Sequence, residues 1–235
     1  MRAPTRRHAA PITAAGTAEK GAPMNIAETT HWYDLLLPHT TTDDGIDIPG
    51  LTAPVYRTLG TTTCRVHNLN NQLVYATCNL SDHPTGMRTT AAHLGLDGDN
   101  PHREFDAHVE IITIANDNAG DHLDAALTEI STRAHTTDMP QPGTTYENLI
   151  TPTTNTSPRH GLIIMPYLWE QGAPRIAKEA HEMGRTDGVG EVTLLAQLIL
   201  ITDTELELLH SDGLEALQQN IITRGIDLND LHRTH

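Results

Sequence analysis

The sequence predicts an α+β domain in which a central mixed sheet is covered by helices, and three observations predict it. Residues 105–111 alternate strictly: Phe105, Ala107, Val109 and Ile111 oppose Asp106, His108 and Glu110, so an extended chain has one apolar and one polar face. Residues 192–202 (VTLLAQLILIT) are apolar almost throughout, the pattern of a central strand covered on both sides. Directly afterwards, Thr202 with Glu205 and Asp212 with Glu215 have the spacing of capping boxes. Leu206 and Leu209, then Leu214, Leu217 and Ile221, give the two helices their apolar stripes.

The remaining elements follow in order. Residues 24–37 (MNIAETTHWYDLLL) form a short helix closed by Pro38, and residues 40–54, rich in Thr, Asp, Gly and Pro, form a loop. A hairpin is expected within 56–80, with arms TLGTTTCRVH and QLVYATCNL and a turn at Asn68, Asn70 and Asn71. Residues 81–100 are broken by Pro84, Gly86, Gly95 and Gly98. Leu123, Leu127 and Ile130 place a helix over 121–134. After a turn-rich stretch at 140–156, LIIMPY at 162–167 reads as a strand, and 170–190 as loop or weak helix. Gly213 lies where the last two helices meet, and Gly225 stops the second.

Composition narrows the function classes. Among 235 residues only one Phe, two Trp and five Tyr occur, so the core is built from Leu, Ile, Val and Ala. No apolar run reaches the roughly 18 residues of a membrane span. Residues 2–23 are Ala-, Pro- and Thr-rich with no apolar h-region, unlike a signal peptide. They are expected to be a disordered arm, or to precede a true start at Met24, leaving one domain over 24–235. The two cysteines, Cys64 and Cys78, form no CxxC pair, and a reducing, cytoplasmic compartment is expected.

The first 24 residues hold Arg2, Arg6, Arg7 and Lys20 against Glu19, a balance of +3. The whole chain carries −15 with His neutral, so residues 25–235 carry −18. Such a surface repels nucleic-acid backbones and anionic membranes, and attracts a basic protein.

Catalytic patterns are sparse. The sequence has no GxSxG elbow, no GxGxxG after a strand and no phosphate loop ending in GK[ST]. Fifteen histidines are scattered without an HExxH; the nearest approach to a ligand set is His102, His108 and Glu110, with the last two on one strand face. Asp97, Asp99 and Asn100 begin like a calcium loop but lack its later glycine and glutamate. No metal, cofactor or catalytic set is therefore expected, and a metal-dependent enzyme built on the His102 cluster is the least favoured reading.

A family resemblance rests on the C-terminal run EVTLLAQLILITDTELELLHSDGLEALQQNIITRGIDLNDLHR, residues 191–233. A buried strand ends in Thr202–Asp203, an acidic helix start follows at Thr204–Glu205, then Gly213–Leu214–Glu215–Ala216–Leu217, and finally Asp230–Leu231–His232–Arg233. In that order these elements resemble the C-terminal part of the suppressor-of-fused domain. LVYATCNLSDHP at 73–84, Val109–Glu110–Ile111–Ile112 and GLIIMPYLWE at 161–170 are similar to its upstream strands, although Cys78 stands where the family often has Gly. The resemblance implies a non-enzymatic inhibitor or, in the bacterial single-domain type, an immunity protein that neutralises a toxin passed between competing cells. The expected partner is a basic toxin. Asp97, Asp99 and Glu104 on an acidic loop, with Trp169 and Glu170 at a strand end, are the candidate contact residues. A regulatory adaptor that holds a peptide by strand addition is the alternative.

Overall fold

A computed structural model describes residues 24–37, 50–96, 100–134, 139–151, 157–169 and 172–233. Helix α1 (Ile26–Leu36) starts at a capping box in which the Asn25 side chain accepts from Glu28 N–H and the Glu28 carboxylate accepts from Asn25 N–H. The strands are β1 (Val55–Leu59), β2 (Thr62–Leu69), β3 (Gln72–Thr77), β4 (Arg88–Thr90), β5 (Glu104–Asn116), β6 (Thr145–Tyr146), β7 (His160–Ile164), β8 (Arg175–Lys178) and β9 (Gly190–Ile201). Helix α2 (Gly120–Ala134) follows β5, and α3 (Asp203–Arg224) follows β9.

All nine strands join one sheet in the order β1-β2-β3-β5-β9-β7-β6, with β4 added on β5 and β8 on β9. The two longest strands, β5 and β9, lie side by side in parallel, and every other pairing is antiparallel. This is the α+β mixed sheet expected, with its two longest strands at the centre.

Alternation decides which helix covers which face. Val109, Ile111 and Ala115 of β5 and Ala196, Leu198 and Leu200 of β9 pack with Leu123, Leu127 and Ile130 of α2. The opposite face is shared by two helices. Over β3 and β5, Trp32 and Tyr33 of α1 pack on Val74, Ala76, Ile112 and Leu195. Over β7 and β9, Leu206 and Leu217 of α3 pack on Leu162, Ile199 and Ile201.

Several short elements differ from the expectation. The first hairpin arm is two strands, because Gly60 turns the chain at φ 60° between β1 and β2. The stretch 170–190 contributes β8, and 81–100 contributes β4. Residues 165–167 lie beyond the end of β7. The two expected C-terminal helices stand end to end as α3, broken at Gly213, whose φ of 86° and ψ of 178° no helix interior tolerates. Residues 1–23 lie outside the described residues.

Candidate protein-binding groove

The break at Gly213 re-aims the second half of α3 across the sheet end. Its anchor is the preceding capping box: Thr202 Oγ1 accepts from Glu205 N–H at 3.2 Å, and Glu205 Oε2 accepts from Thr202 N–H at 2.7 Å. Arg233, buried at the C-terminal turn, pairs with Glu205 at 3.0 Å and donates to Leu200 O at 2.6 Å and Asp230 O at 3.0 Å. The Asp-Leu-x-Arg ending thus ties the chain end to the top of β9 and the start of α3. At the same end, Nδ1 of buried His160 accepts from Asn148 N–H at 3.1 Å, and its Nε2 lies 3.3 Å from Arg159 Nε and is hydrogen-bonded to Asp203 Oδ1 at 2.6 Å. This bond, followed by that from Arg159, holds the Asp203 carboxyl below its ordinary range.

Held this way, α3 leaves an open cavity of about 380 Å³ between itself, the end of β7 and Leu228. Its walls include Ile164, Tyr167, Ile199, Leu214, Ile221 and Ile222, and the Gln218 amide and the Tyr167 hydroxyl are the polar side-chain groups among the nine residues that line it. Leu217 is fully buried beneath, but Ile222 is 73% exposed, and Leu214 and Tyr167 are also exposed, with exposed Met165 and Leu168 either side of Tyr167 in the chain. Isolated exposed apolar residues are ordinary; several gathered on one groove mark an interaction surface. The exposed acidic residues of α3 include Glu207, Asp212 and Glu215. Glu215 precedes Ile222 by two helical turns and so stands on the same stripe.

The sequence-derived contact residues are distributed differently. Glu104 is exposed at the start of β5, in an ion pair with Arg88 at 3.2 Å. Trp169 is partly buried against the α1 cluster of Met24, Trp32 and Leu195. Asp97, Asp99 and Glu170 lie outside the described residues. The strand-end segment does reach the groove, through Tyr167 two residues before Trp169. Ile222 was not part of the expected stripe; the doublet Ile221–Ile222 is the signal that the apolar face is wider than one sheet edge can cover.

The His102, His108 and Glu110 set does not converge. His102 is exposed in the turn before β5, while His108 is buried with Nδ1 2.7 Å from Ser81 O. Glu110 is fully buried, and each oxygen accepts two hydrogen bonds: Oε2 from Thr77 Oγ1 (2.5 Å) and Leu80 N (3.3 Å), Oε1 from Ser81 N (3.1 Å) and Ser81 Oγ (2.7 Å). These donors occupy the carboxylate's roughly four lone-pair positions, which leaves it a structural pin for the chain leaving β3. Burial pushes its pKa up, and the Thr77 and Ser81 hydrogen bonds oppose that rise. No group of three or more metal-ligating side chains gathers among the described residues. Both cysteines are buried, and burial raises the Cys78 thiol to about 12, so neither is a thiolate nucleophile at neutral pH. No helix among the described residues is long and apolar enough to cross a membrane.

No protein-family model matches the chain, and no curated protein matches it. Among solved structures it is similar to a crystal structure from Neisseria gonorrhoeae provisionally named a SUFU (suppressor of fused protein) homolog. The match covers 77% of this chain and 85% of that one, at 22% identity and a TM-score of 0.47, and residue roles do not transfer between the two.

Proposed function

We propose that this chain is a non-catalytic protein-binding domain that neutralises a basic toxin, in the manner of an immunity protein. The observation that supports it best is the apolar groove along α3, set in a domain whose residues 25–235 carry −18. Apolar surface supplies the association energy, at roughly 25 cal/mol per Å² removed from water, while net charge selects a basic partner and speeds its approach. Neutralisation is then steric: the bound domain covers the toxin's working surface.

The test is to recover the tagged chain at low salt from the cells that make it, because charge attraction is screened at high salt. The expected result is one basic protein at near one-to-one stoichiometry, lethal when expressed alone and harmless when this chain is co-expressed. Recovery of a regulator with no toxicity would instead favour the adaptor reading. That second reading has its own support in β1, which among the described residues pairs only with β2 and exposes Val55 and Tyr56 along the sheet edge.

A further inference from the structure

We infer that the α3 groove receives an amphipathic helix with basic flanks, laid along residues 214–222. The inference rests on the protein-binding reading above and names the element of the partner that enters.

Three features favour a helix as occupant. The α3 side of the groove is built from Leu214, Leu217, Gln218, Ile221 and Ile222, a spacing that exposes one continuous seam over two turns, about 12 Å long. A second helix meets such a seam with its own residues at i, i+3/i+4 and i+7.

An extended strand lacks its usual hold here. At the floor of the groove, β7 is hydrogen-bonded on both sides. It pairs with β9 through Leu162, Ile163 and Ile164 and with β6 through Gly161 and Leu162. The Ile163 N–H donates to Thr144 O at 2.9 Å, and its carbonyl accepts from Gly143 N–H at 2.7 Å. No main-chain ladder is open there among the described residues, so the occupant binds by side chains. A small ligand fits poorly as well, since such sites place several convergent polar groups and this one has only the Gln218 amide and the Tyr167 hydroxyl in an otherwise aliphatic lining.

Charge supplies the flank. Exposed Glu215 adjoins the Ile222 stripe, and residues 25–235 as a whole carry −18. A helix with Lys or Arg beside its apolar seam meets that carboxylate and that field, and an acidic helix is repelled.

Three 14-residue peptides test this against the full chain by fluorescence anisotropy and circular dichroism. One carries Leu and Lys at helical period, one the same residues in strict alternation, and one Leu and Glu at helical period. The helical Leu/Lys peptide is expected to bind at least about tenfold tighter than the other two and to gain helicity on binding. A Leu214→Ser/Ile222→Ser variant, both sites exposed, is expected to lose about tenfold while keeping its urea midpoint, and Glu215→Lys to weaken binding less. Equal or tighter binding of the alternating peptide overturns the inference, as does no binding of the helical one or an unchanged double variant. If a toxin is recovered and the double variant neutralises it as well as the parent, the groove assignment fails while the immunity reading stands. If the helical peptide binds in the groove and no toxin exists, the immunity reading alone fails.

Discussion

One face of the sheet is covered by two helices, and they cover it differently. Over β3 and β5, α1 closes the surface: Trp32 and Tyr33 stack with centroids 5.8 Å apart, both are buried, and Tyr33 Oη donates to Thr77 O at 2.8 Å. Thr77 in turn donates to Glu110, so the apolar lid and the buried carboxylate are one structure. Over β7 and β9, α3 buries Leu206 and Leu217 and leaves Leu214 and Ile222, with Tyr167 opposite, exposed. Apolar surface under α1 stabilises this fold; apolar surface left open beside α3 is available to another chain. Burial, not hydrophobicity, separates the two roles.

The largest effect is expected in the α1 half. Glu110→Leu strands two hydroxyls and two backbone N–H groups, and urea unfolding is expected to show a loss of about 4 kcal/mol. Arg233→Met leaves the Glu205 carboxylate buried without its cation, with an expected cost of about 3 kcal/mol. A loss under about 1 kcal/mol in either case means that the interior relaxes around the missing partner.

Within α3 the comparison is sharpest at neighbouring positions. Leu217→Ala removes a fully buried side chain and is expected to cost about 2–4 kcal/mol. Ile222→Ser, at an exposed position on the same half of α3, is expected to change stability by less than about 0.5 kcal/mol. Equal costs would mean that the groove belongs to the core. A separate effect is a pH dependence centred on His67, which lies on the α1 face, with its Nδ1 3.2 Å from Arg65. Burial, then the Arg65 charge, lower its pKa from 6.5 to about 4. The unfolded chain therefore binds this proton first, so the stability tied to neutral His67 is full above about pH 6.5 and declines as pH falls towards 4. His67→Gln is expected to flatten that arm of a melting-temperature profile between pH 7 and 5; an unchanged arm assigns the acid sensitivity elsewhere.

The long elements were legible because their signals are local. Strand β5 showed its period of two, β9 its continuous apolar run, and α3 its Thr202–Glu205 capping box and the Gly213 break. Short strands such as β4 and β8 carry no pattern of their own and exist because β5 and β9 offer them a partner. The parallel pairing of β5 with β9 joins residues more than eighty positions apart, which no window of sequence reports. The groove was half legible. Leu214, Leu217 and Ile221 were read as an apolar face, but which of them the sheet covers depends on the turn that Gly213 introduces. His108 and Glu110 were correctly placed on one strand face. Thr77 and Ser81, far off in sequence, fill the carboxylate that a metal reading required to be open.

Amide hydrogen exchange of the chain, alone and with its co-purified basic partner, tests most directly whether the α3 groove is the working surface. Protection is predicted over residues 214–222 and 165–168, with β1 and the start of β5 unchanged. Protection confined to β1 or to the Glu104 region, with α3 exchanging as in the free chain, would contradict it.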